Sequence, residues 1–164
     1  MEDALFKKIL VPVDFSACSE GAFHIAVSLA RLFQAEILLL HVIDTKSLET
    51  LNRLGLGSIA GEKGQKRRLG HHARLNARRL LMSDDAKGVT IKRVLTEGAP
   101  FAEIARLARL EKVDLVMGSY GGQIGSVDKI FFGSTAEKVV RTAGCPVLTV
   151  PLPVKRPARA VSPV

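Results

Sequence analysis

Residues 8–14 read Lys-Ile-Leu-Val-Pro-Val-Asp, a continuous apolar run that ends in a carboxylate. A strand that is hydrophobic on both faces suits the middle of a parallel sheet covered by helices on each side. The segments around it decide the class. Ser16 or Ser19 can cap a following helix, in which Ala22, Ile25, Ala26, Leu29, Ala30 and Phe33 recur at helical spacing as one packing face. The stretch from Glu36 to Asp44 is again apolar and strand-like, which completes a β-α-β unit with short connections.

The alternation continues along the chain. Residues 45–61, with Gly55, Gly57 and Gly61 among leucines, read as a loop or a short mobile helix. From Glu62 to Met82 the spacing predicts a helix with Leu69, Ala73, Ala77 and Leu80 inward, and Arg67, Arg68, Arg74 and Arg78 mostly outside that stripe. Val89 to Leu95 form a third strand, Gly98-Ala-Pro100 opens another helix, and Asp114 to Gly118 form a fourth strand. A last helix begins near Ser134 and stops at Gly144, a suitable C′ residue, before a fifth strand from Pro146 to Val150. This order predicts a single α/β domain over residues 1–151. Its core is a five-stranded parallel, doubly wound, Rossmann-like sheet with helices on both faces, and its ligands bind outside the carboxyl ends of the strands. Residues 152–164, rich in proline and carrying three basic residues without an acid, read as a disordered tail.

Composition narrows the function classes. The net charge of +8 is local: residues 62–79 contribute +6 and residues 152–164 contribute +3, leaving the rest at −1. It therefore describes one helix and a tail. With one tyrosine, no tryptophan and no recognised reader motif, nucleic acid is not the expected partner, and the basic face reads as solvated. Cys18 and Cys145 fit neither a disulfide framework nor a zinc spacing and read as small buried residues. His24, His41, His71 and His72 make no HExxH pattern, so no metal ligands are assigned. No apolar run approaches the roughly 18 residues of a membrane helix, and the N-terminus lacks the features of a secretory signal. The protein is read as cytoplasmic.

The chemistry concentrates between Gly118 and Thr135. Closely spaced glycines followed by Gly133-Ser134-Thr135 at a helix start let backbone N–H groups approach a phosphate, with the two hydroxyls as further contacts. The plainer alternative, a tight loop with Ser134 as N-cap, stays open on composition alone. Asp14 has two readings as well: a cap for the following helix, or an acceptor for an adenine amino group.

Taken in order, Lys-Ile-Leu-Val-Pro-Val-Asp-Phe-Ser, the 38–44 run Leu-Leu-Leu-His-Val-Ile-Asp, Glu97-Gly98-Ala-Pro100, the 114–121 segment and Gly133-Ser-Thr-Ala-Glu-Lys-Val-Val resemble a universal stress protein domain from Phe6 to Val150. Members of that family that bind ATP carry a G-x2-G-x9-G-[ST] pattern and an aspartate after the first strand. The resemblance implies a nucleotide site at Pro12, Val13, Asp14, Val42, Met117, Gly118, Gly121, Gly133, Ser134 and Thr135, with Val13 and Val42 flanking the base. It also implies ATP, with Mg2+ or Mn2+ on its phosphates, a homodimer through the last strand, and a regulatory protein partner whose identity is unknown. Two departures stand out: eleven residues separate Gly121 from Gly133 instead of nine, and Tyr120 stands where histidine is common. The leading expectation is an ATP-binding regulatory module of the stress response, and the rival is a nucleotide-free dimeric scaffold. No Walker lysine, general base or nucleophile–base pair is found, so no catalytic residue is assigned; the resemblance leaves room for slow ATP hydrolysis at most.

Overall fold

Alternating burial along the first strand sets the architecture. In β1 (Lys8–Pro12), Ile9 and Val11 point to one side of the sheet and Leu10 to the other, and all three are wholly buried. The computed structural model describes residues 5–56, 61–120 and 134–151. In it β1 lies at the centre of a five-stranded parallel sheet in the order β3-β2-β1-β4-β5, completed by β2 (Glu36–Asp44), β3 (Ile91–Gly98), β4 (Leu115–Tyr120) and β5 (Val147–Pro151). This is the expected doubly wound class.

Helices cover both faces. On one side α1 (Ala17–Phe33) and α3 (Gly61–Leu81) pack Phe23, Val27, Ala77 and Leu80 against Ile9, Val11, Ile37 and Met117. On the other side α4 (Pro100–Leu110) and α5 (Ser134–Thr142) pack Ile104, Leu107 and Val139 against Leu10, Leu38 and Val116. Each fully buried Leu, Ile, Val or Phe contributes roughly 1.5–3 kcal/mol relative to exposure, so these two layers dominate stability.

Local signals place the helix ends. Ser16 is the N-cap of α1, its hydroxyl accepting from the Ser19 N–H at 3.3 Å. Ser16→Ala is expected to cost about 1 kcal/mol, read as a lower urea midpoint with an unchanged slope. Pro100 opens α4 without a side-chain cap, and Gly144, with φ +75°, takes the left-handed conformation expected after α5. Gly98, at φ +144°, turns the chain from β3 into α4, and a Cβ there would lie 3.1 Å from Cγ of Glu103. Gly98→Ala should therefore lose about 1–2 kcal/mol, measured as a drop in melting temperature.

Several boundaries and faces differ from the periodicity reading. Residues 45–53 form α2 (Thr45–Arg53), because Asp44 accepts from the N–H groups of Lys46 and Ser47 at 3.1 and 3.2 Å and caps it. In α1 the buried face is Ala22, Phe23, Ala26, Val27 and Ala30, whereas Ile25 is exposed. The stripe is rotated because Phe23 and Val27 fill the layer over β1. In α3, Leu69 is 41% exposed and Gly70 is buried in its place. Gly70 faces Leu95, whose Cδ2 lies 3.7 Å from where a Cβ would be, an ordinary contact distance. Cys18 and Cys145 are half-buried rather than buried. The tail 152–164 lies outside the described residues.

Candidate functional site

At β1 the chain order reverses: β2 and β3 lie on one side of it, β4 and β5 on the other. Strands that wind in opposite directions carry their connections away from each other and leave a crevice at their carboxyl ends. A cavity of about 220 Å³ occupies that crevice. Its floor is Pro12 and Val13 from the end of β1, Leu40 and Val42 from β2, and Val116 and Gly118 from β4. The first residues of α4 and α5 supply Pro100 and Thr135, and β5 contributes Val147 and Thr149.

Asp14 is the cavity's carboxylate. Its Oδ1 accepts from the Ser16 N–H at 3.0 Å, and its own N–H donates to the Ser19 hydroxyl at 3.3 Å. Partial burial pushes the carboxyl up, but hydrogen bonds from Ser16, through hydroxyl and backbone, and from Ser19 outweigh that and hold it below its ordinary value. A depressed folded-state value means that the ionised form stabilises the fold above the ordinary carboxylate range and is lost as pH falls through the folded value. At neutral pH Asp14 is therefore an anion that only accepts hydrogen bonds. The capping role and the acceptor role coexist, because the turn uses one oxygen through Ser16 and the carboxylate has further lone pairs.

The residues expected at the site divide cleanly. Pro12, Val13, Asp14, Val42, Gly118 and Thr135 come together around the cavity from four separated segments. Ser134 is exposed at the first turn of α5 and is not part of the cavity wall. Met117 is 0% exposed, with its side chain in the layer under α1. Strand alternation is the reason: Val116 and Gly118 face the cavity, so the residue between them faces away. Gly121 and Gly133 lie outside the described residues. Gly118 is open toward the site, since a Cβ there would meet nothing closer than Thr149 Cγ2 at 3.6 Å.

Other wall residues were not singled out by sequence reasoning: Pro100, Ile104, Val139, Val147 and Thr149. Each belongs to an amphipathic or strand pattern that reads equally well as core, and only the packing of α4 and α5 beside β4 makes them lining. His41, next to Val42, points to the opposite face of the sheet. There its Nδ1 lies 2.7 Å from the Val13 carbonyl oxygen and its ring packs on Phe15.

A parallel doubly wound domain with a polar-tipped apolar cavity at its switch point belongs to the class of α/β proteins that hold a small ligand beyond the strand ends. The profile of the Universal stress protein family matches residues 5–151, and the chain belongs to that family. Universal stress protein MJ0531 of Methanocaldococcus jannaschii is 32% identical over 155 residues, covering 92% of this chain and 85% of that protein. Universal stress protein MJ0577 of the same organism is 31% identical over 156 residues, covering 89% and 95%. The solved structure of hypothetical protein MJ0577 aligns with a TM-score of 0.73 at 28% identity, covering 90% of this chain and 96% of that one. A universal stress protein in complex with cAMP shares the fold at a TM-score of 0.60 and 19% identity, covering 90% and 98%. Among the described residues no helix is long and apolar enough to cross a membrane.

Proposed function

We propose that this chain is an adenine-nucleotide-binding regulatory module of the stress response that acts as a homodimer, with ATP as its ligand. The observation that carries this reading is the cavity at the switch point, where an ionised acceptor, Asp14, and two apolar walls, Val13 and Val42, meet the start of α5 at Thr135. A purine needs apolar faces and a partner for its exocyclic group, and a phosphate is favoured at a helix N-terminus with free N–H groups. The cAMP complex of another universal stress protein supports the capacity of the fold to hold such a ligand in that protein. Among the described residues no cluster of three or more His, Cys, Asp or Glu could hold a metal. In this reading Mg2+ or Mn2+ sits on the phosphates, with Ser134 and Thr135 as neighbouring hydroxyls.

The dimer reading rests on β5, which among the described residues pairs with β4 alone and ends the sheet, with Leu148 exposed. A nucleotide-free dimeric scaffold is the competing reading, favoured by the eleven residues between Gly121 and Gly133. Mass spectrometry of ligands released from the purified, undenatured protein separates the two. A co-purifying adenine nucleotide is the expected result; none released, and none bound on titration with ATP, would replace the module with the scaffold.

A further inference from the structure

A second cavity, of about 210 Å³, lies on the other face of the sheet under α3. Its walls include Phe15, His41, Ala73 and Leu95, and two guanidinium side chains, Arg74 and Arg93, complete it. Among the described residues, none of those lining it is acidic. The register explains how a cation reaches this face: Arg93 pairs with Leu39, and Leu95 with His41, so all four project on the same side as Ile37 and Ile91 in the α3 layer. Arg74 arrives from α3, its guanidinium about 3.9 Å from the position a Cβ on Gly70 would take.

These charges are not used inside the described fold. The neighbouring Lys92 pairs with Glu36 and Lys66 with Glu62 and Glu97, whereas Arg74 and Arg93 have no carboxylate partner among the described residues. Both are exposed and line the same cavity, and guanidinium groups match a carboxylate in bidentate geometry. The aromatic wall is held at a cost. Phe15 sits at φ +63°, an uncommon conformation for a bulky side chain, and its ring packs on His41 with centroids 4.9 Å apart.

We infer that this cavity, which lies on the opposite face of the sheet from the switch-point cavity and shares Val13 with it, is a second binding site for a small organic monocarboxylate with an apolar, preferably aromatic, body. The carboxylate pairs with Arg74 and Arg93, and the body lies among Phe15, Ala73 and Leu95. This does not depend on nucleotide binding.

Phenylacetate is the probe, with acetate as the control lacking the apolar body and 2-phenylethanol as the control lacking the charge. Calorimetry on the wild type should show saturable phenylacetate binding with Kd on the order of a millimolar, as befits so small a ligand. Each control should bind at least about tenfold more weakly. The double variant Arg74→Gln/Arg93→Gln, altered only at exposed side chains, should keep its melting temperature and lose about tenfold or more in affinity. Amide shifts on titration should cluster at Phe15, Ala73 and Leu95. The inference is overturned by any of four results: no saturation below about 20 mM, equal binding of 2-phenylethanol, undiminished affinity in the double variant, or shifts centred on Val42 and Thr135.

Discussion

Replacing Asp14 with alanine is expected to weaken ATP binding by about 1–3 kcal/mol, roughly fivefold to 150-fold, and to leave GTP binding nearly unchanged. The asymmetry follows from protonation. Asp14 is held ionised by the hydrogen bonds from Ser16 and Ser19, so at neutral pH it accepts but cannot donate. An adenine amino group donates to it; guanine presents a carbonyl oxygen at that position and gains nothing from the carboxylate. The variant also loses the hydrogen bond from the Ser16 N–H, so circular dichroism and a melting curve must accompany the titrations. Equal losses for ATP and GTP, or an unfolded variant, would reduce Asp14 to a structural cap of the β1–α1 turn.

If the protein is the proposed dimer, Leu148→Asp is expected to turn it into a monomer in light scattering, weakening association by at least about a hundredfold, because like charges juxtaposed across an interface cost several kcal/mol. Leu148 is the second residue of β5, 43% exposed, opposite Met117 on β4. Pairing two β5 strands about a two-fold axis would bring each copy's residue 148 near its mate, so one substitution places two charges together. The fold of the protomer should survive, since the side chain is not part of either core layer. A wild type that already runs as a monomer at high concentration would remove the basis for the dimer.

Much of the fold was legible because its signals are local. The apolar runs of β1 and β2, the cap at Ser16, Pro100 at the start of α4 and Gly144 after α5 each act within a few residues, and their order leaves a parallel sheet as the economical arrangement. Part of the site was legible for the same reason: Asp14 ends an apolar strand, and Gly118 ends another. Helix faces were less so. Hydrophobic spacing did not distinguish Ile25 from Phe23 in α1, or foresee that Gly70 would replace Leu69 at the contact with Leu95, because those choices depend on the shape of the opposing layer.

What only the tertiary structure decided is which distant residues share a space. The sequence by itself determined that Val13, Val42 and Thr135 sit at element ends; the 3-2-1-4-5 strand order brought them around one cavity and added Ile104, Val139 and Thr149 from patterns indistinguishable from core. Alternation across the sheet then separated neighbours in the chain. Met117 went under α1 while Val116 and Gly118 faced the cavity, and His41 went under α3 while Val42 faced the switch-point cavity. The same geometry put Arg93 beside Arg74 in a second cavity that no spacing along the chain announces, because proximity across two elements is set by register and helix placement rather than by separation in sequence.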